Sequence, residues 1–181
     1  MLPPEISAAF RRVLDHYALY LSGAYDQLPP TERVQIEDEV LVLEKEIFAS
    51  ECSSQFGTVR DLIVSASASG RMAAVMILCR GDCSDDATLR LLIERLSCED
   101  EPETLQQLIL WFRYHHKDAR ALGAICRLYN HPDHMVRTCV ADALGAYRDN
   151  DEAADTLRRL THDPHPNVCE AAREELRGIA V

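Results

Sequence analysis

The feature that most constrains this chain is a period of 32 residues in its second half. Asn130-His131-Pro132-Asp133 precedes Val136, Val140 and Leu144. His162-Asp163-Pro164 precedes Val168, Ala172 and Leu176, each position shifted by 32. The upstream segments keep the same shift: Leu89, Ala121 and Ala153; Ile93, Ile125 and Leu157; Leu96, Leu128 and Leu160. Within a segment these positions fall at i, i+4 and i+7, one apolar face of a helix. A one-faced helical hairpin cannot bury itself alone, but stacking on the next copy covers it. The predicted fold is therefore all-α, an α-solenoid of helical hairpins over 86–117, 118–149 and 150–181.

Local signals agree. Pro132 and Pro164 sit where one helix ends and the next begins, since proline cannot continue a helix but fits its first turn. Asp82, Asp85 and Asp86 are placed to cap the helix that starts near residue 86, and Thr31 to cap a helix after Pro29-Pro30. Residues 54–85 read as a degenerate fourth unit. Upstream, Phe10, Leu14, Tyr17 and Leu21 form one stripe and Ile36, Val40, Leu43 and Ile47 another. Residues 1–53 are therefore expected to be an N-terminal helical cap, because the ends of a repeat stack need a polar outer surface.

The run Asp133-x-x-Val136-Arg137-x-x-Val140-x-x-Ala143-Leu144-Gly145 resembles the second-helix motif of HEAT repeats. The resemblance covers residues 86–181. It implies a right-handed superhelix whose second helices line a concave, protein-gripping face. Cys169 stands where the motif has arginine and Glu175 where it has a small residue. The 102–114 helix carries Leu105, Leu110, Trp111 and Phe112. These departures argue against a regular inter-repeat aspartate–arginine ladder. On this resemblance the partner-binding candidates are Gln106, Arg113, Arg137, Asp142, Glu170, Arg173 and Arg177, on second-helix positions away from the core.

Charge and chemistry narrow the function. With 19 basic and 30 acidic residues, the formal charge is −11. That repels nucleic acid and anionic membranes at long range and suits a basic protein partner. No apolar run approaches the ~18–20 residues of a membrane span, and the N-terminus lacks the features of a secretory signal. The seven cysteines are scattered and odd in number, as expected of reduced thiols in a cytoplasmic protein. No phosphate loop, nucleophile elbow or His-Glu-x-x-His is present, and no motif points to a cofactor. Deoxyhypusine hydroxylases, a HEAT-repeat enzyme group, hold iron with His-Glu dipeptides, which this chain lacks. Cys79-x-x-x-Cys83 has no second pair at zinc spacing. His131-x-x-His134 and His162-x-x-His165 are the metal-ligand candidates, since imidazoles in neighbouring turns suit zinc, iron or nickel. The expected function is a protein-binding adaptor. The alternatives are a small acidic inhibitor or immunity protein against a basic enzyme such as a nuclease toxin, and a metal-dependent enzyme using the turn histidines. The terminal run Gly178-Ile179-Ala180-Val181 leads to a further expectation, a homodimer through the C-terminal end.

Overall fold

The computed structural model describes residues 8–51, 57–65, 67–80, 85–116 and 118–177. Among these residues every regular element is helical. The chain divides into two compact units, Met1–Leu91 and Leu92–Val181.

The first unit contains α1 (Ala8–Leu21), α2 (Pro30–Glu51), α3 (Gly57–Ile63), α4 (Ala68–Arg80) and the start of α5 (Asp86–Cys98). Helix α1 buries Phe10, Val13, Leu14 and Tyr17 and stops before Gly23. Gly23 takes a φ of +73°, a conformation that costs a residue without Cβ little. Helix α2 begins at Pro30, where the Pro29 carbonyl accepts the amides of Glu32 and Arg33. Thr31 thus lies inside the first turn and does not cap it.

Helix α4 is buried nearly all round, from Gly70 to Val75 and again at Ile77 and Leu78. A helix without a polar face needs cover on several sides, and α1, α2 and α3 all pack on it. This is why the first 53 residues and the stretch 54–85, read from sequence as cap and degenerate repeat, form one compact unit. Glu44 sits in the middle of the α2 stripe with its side chain buried. Tyr17 Oη donates to Glu44 Oε1 at 2.5 Å, and Arg80 Nε lies 2.8 Å from Oε2. Burial pushes the Glu44 carboxyl above its usual range, against the pull of Tyr17 and Arg80.

The second unit holds the rest of α5, then α6 (Pro102–Trp111), α7 (Ala119–Arg127), α8 (His134–Leu144), α9 (Asp151–Leu160) and α10 (Pro166–Arg177). The second helices lie side by side, with α8 between α6 and α10; α7 and α9 pack on each other and on α8. Each start has a local cause. Asp85 accepts the Thr88 amide. Asp118 caps α7, Asp133 caps α8 and Asn150 caps α9. Pro102 and Pro166 open α6 and α10.

The expected register holds with three departures: Ile93, Leu128 and Leu176, the last half-buried where Leu144 is fully buried. Leu89, Ala121, Ala153, Ile125, Leu157, Leu96, Leu160, Val136, Val168, Val140 and Ala172 are all buried. Ile93 is half-buried and Leu92 takes the core position beside it. Leu128 leaves the face because α7 ends at Arg127 and tightens into a 3-10 turn over Leu128–Asn130. Trp111 is buried against Phe112, ring edge to face at 5.1 Å.

The five described cysteines are free thiols: Cys126 and Cys139 are buried, Cys79 and Cys169 half-buried and Cys98 exposed. Cys83, the second member of the Cys79 pair, and Asp82 lie outside the described residues. No helix among the described residues is long and apolar enough to cross a membrane.

Candidate functional site

Charged side chains of three successive repeats meet at the C-terminal ends of the second helices. After Trp111 the backbone widens into a π-type turn, Phe112–His116. That turn carries Arg113 toward α8 and α10. Arg113 Nη2 donates to Glu175 Oε1 at 3.0 Å, and its Nη1 lies 3.7 Å from Asp142 Oδ1. Arg148 Nη2 approaches Glu175 Oε2 at 3.6 Å, while its Nε donates to the Gly145 carbonyl at 2.7 Å. Glu175 therefore lies between two guanidiniums, with 13% of its side chain exposed against 23% for Arg113.

Gly145 makes that placement feasible. A Cβ there would fall on the Glu175 carboxylate, and even the farther oxygen, Oε1, would be 2.9 Å away. The departure at Glu175, where the motif has a small residue, is thus matched by the missing side chain at Gly145 in the preceding repeat.

Arg113, Gly145, Arg148 and Glu175 line a cleft of about 420 Å³ with Tyr114, Ala146 and Asp149. Tyr114 is 65% exposed, and the Arg113 guanidinium lies 5.1 Å from its ring centroid, within cation–π range. Asp142 is half-buried. Desolvation raises its carboxyl above the usual range, Arg113 opposes that, and Glu175 and Glu174 add to it. Counting Arg113 and Arg148 against Asp142, Asp149, Glu174 and Glu175, the neighbourhood carries two carboxylates in excess. It is suited to binding by charge and stacking. Among the described residues it brings together no nucleophile and base.

The structure sorts the sequence candidates. Arg113 lines the cleft, and Asp142 lies 3.7 Å from its guanidinium. Gln106 is half-buried on α6, while Glu170, Arg173 and Arg177 are exposed on α10. Arg137 requires correction: its guanidinium is engaged inside the array. Nε and Nη2 donate to Asp163 Oδ2 and Oδ1 at 2.7 and 2.9 Å, and Nη1 donates to the carbonyls of His131 and Pro132. The two side chains are 11% and 6% exposed. This hydrogen-bonded pairing holds Asp163 below the usual carboxylate range and raises Arg137. It is one rung of the ladder that the departures argued against. Leu105 and His131, the equivalents of this pair one repeat earlier, form no such rung. Beyond Arg137, the Cys169 thiol donates to the Asp163 carbonyl at 2.9 Å.

The metal reading of the turn histidines also fails on geometry. His134 and His165 do meet, but as stacked rings with centroids 3.8 Å apart and planes 25° apart. Lone pairs of face-to-face rings do not converge on one ion. The His131 ring accepts the Asp133 amide at 3.1 Å, and His162 Nδ1 lies against Thr161 Oγ1 and the Arg158 carbonyl. Among the described residues no three His, Cys, Asp or Glu side chains are grouped to hold a metal. The run Gly178-Ile179-Ala180-Val181, on which the expected homodimer rests, lies outside the described residues; α10 up to Arg177 exposes Glu170, Arg173, Glu174 and Arg177.

Sequence reasoning missed Tyr114, Arg148 and Glu175. Glu175 was visible as a departure from the motif, but its reach of 62 residues to Arg113 leaves no local signature. Residues 89–177 match a family model described as HEAT repeats. No curated protein and no solved structure matches the chain.

Proposed function

Because residues 89–177 belong to the HEAT-repeat family, whose members generally serve as protein-interaction scaffolds, we propose that this chain is an adaptor that docks a partner protein on its second helices. The observation that carries this reading is the cleft at the ends of α6, α8 and α10, with the open Tyr114 ring beside Arg148 and Asp149. Tyrosine and arginine are, with tryptophan, the side chains enriched at the energetic centres of protein interfaces. The excess of carboxylates around Asp142, with the net charge of −11, favours a partner that presents lysine or arginine. Glu170, Arg173 and Arg177 extend the surface along α10.

The test is affinity purification from the native host followed by mass spectrometry, repeated with Tyr114→Ala, Asp149→Lys and a control, Glu94→Lys, on the exposed side of α5. A stoichiometric protein lost with the first two variants and kept with the control is the expected result. A partner kept by all three would place docking elsewhere.

A further inference from the structure

The first helices of the second unit carry arginines in register near their C-termini: Arg95, Arg127 and Arg159, 32 residues apart. The negative end of the helix dipole favours a cation there. The three side chains then differ in what they meet. Arg95 is mostly buried and pairs with Glu99, Nε to Oε2 at 3.1 Å. Arg127 reaches back to the preceding repeat and donates from Nη2 to Ser97 Oγ at 3.3 Å. Arg159 also reaches back, its guanidinium 5.6 Å from the Tyr129 ring centroid. Ser97 and Tyr129 are themselves 32 apart, so the same step is made twice. Neither Arg127 nor Arg159 has a carboxylate partner among the described residues.

Both arginines are exposed and line one cleft of about 480 Å³, with Tyr129, Thr156, Glu152 and Asp155. The Asp155 carboxylate is paired with Arg158. The Thr156 hydroxyl donates to the Glu152 carbonyl at 2.8 Å. With Asp155 held by Arg158 from outside the cleft, the lining guanidiniums of Arg127 and Arg159 face one remaining carboxylate, Glu152. In the cleft on the second helices, by contrast, both lining guanidiniums are engaged by Glu175. Packed helices lie ~8–10 Å apart. An extended peptide rises ~3.3 Å per residue and alternates its side chains between two faces, so carboxylates two residues apart share a face and lie ~6.6 Å apart, within reach of the two long arginine side chains.

We propose that this edge of α7 and α9 is a second docking surface. It takes an extended protein segment with acidic side chains, two of whose carboxylates meet Arg127 and Arg159. The Tyr129 ring and the short Ser97 and Thr156 side chains leave the guanidiniums accessible. The surface is separate from the second-helix cleft and does not depend on docking there. An adaptor with two separate surfaces can hold two partners at once.

The test is an NMR titration of the full-length protein, following the side-chain Nε–Hε signals of Arg127 and Arg159 at low salt. Hexaglutamate is the probe, with hexalysine and inorganic phosphate as comparators. Hexaglutamate is expected to shift both signals and hexalysine neither. Arg127→Gln and Arg159→Gln should each weaken binding about 2- to 5-fold, as for exposed ion pairs, and the double variant about tenfold. Glu152→Gln removes the opposing carboxylate and should tighten binding about 2- to 5-fold, which keeps the proposal testable if an arginine variant misfolds. Unshifted arginine signals, unchanged affinity in the double variant, or no gain with Glu152→Gln would overturn it. So would inorganic phosphate saturating the same signals at the same concentration, since the surface would then be a general anion site.

Discussion

Replacing Gly145 by alanine should destabilise the second unit, although alanine suits the local backbone. The residue has φ −57° and ψ −25°, which alanine adopts freely. On backbone grounds alone the substitution would stabilise by about 0.4–1 kcal/mol, through the lower entropy of the unfolded chain. The added Cβ, however, occupies the place of the Glu175 carboxylate. Glu175 must swing away and give up its 3.0 Å bond to Arg113 and its approach to Arg148. Arg113 and Glu175 are each less than a quarter exposed, so water replaces these contacts poorly. A hydrogen bond to a charged group contributes about 1.5–3 kcal/mol. The net expectation is a loss of about 1–2 kcal/mol after the backbone gain is subtracted.

The decisive comparison is the same substitution in a Glu175→Ala background. There the three atoms nearest the added Cβ are gone, and Gly145→Ala should stabilise by about 0.4–1 kcal/mol. The sign of the effect thus reverses between backgrounds. Trp111, the one tryptophan in the chain, is buried in this unit, so its fluorescence during urea unfolding reports the second unit selectively. An equal loss in both backgrounds, or a gain in the otherwise unaltered protein, would refute the close approach of Glu175 to Gly145.

Three further outcomes follow from the same contacts. Arg137→Ala strands the Asp163 carboxylate and uncaps two carbonyls, at a cost of about 3–5 kcal/mol as for a broken buried pair; urea unfolding followed by Trp111 checks this, and a loss below 1 kcal/mol would show the rung to be solvated. Burial raises the Glu101 carboxyl to about 7, aided by its hydrogen bond with Glu103 and by the charges of Glu103, Glu99 and Asp100. The folded state then binds this proton more tightly than the unfolded state, so the contribution is present at pH 4 and lost as pH rises through about 7. The unfolding midpoint should therefore fall between pH 5.5 and 8 by more in the unaltered protein than in Glu101→Gln. In the first unit, Tyr17→Phe leaves a lone pair of buried Glu44 without its donor and should cost about 1–3 kcal/mol, read as faster amide hydrogen exchange in α4.

The repeat, the helix starts and most of the apolar register were legible because they are local or periodic. Val136 and Val168, or Ile125 and Leu157, occupy equivalent faces because identical helical geometry recurs every 32 residues. Proline and aspartate mark the helix starts because they act on backbone groups within a turn. Partners and limits that depend on packing were not legible. Arg137 fits the motif of an outward candidate, yet Asp163, brought alongside by the stacking of the next turn, takes its guanidinium. Leu128 keeps its place in the period but leaves the core because α7 tightens one residue earlier. Glu44 looks like a solvated charge on a mixed helix until Tyr17 and Arg80, far away in sequence, close on it. The sequence by itself determined that this chain builds stacked helical hairpins. Tertiary structure alone decided which charges remain for a partner, because a side chain's exposure and its opposite charge are set by neighbours that only folding brings within reach.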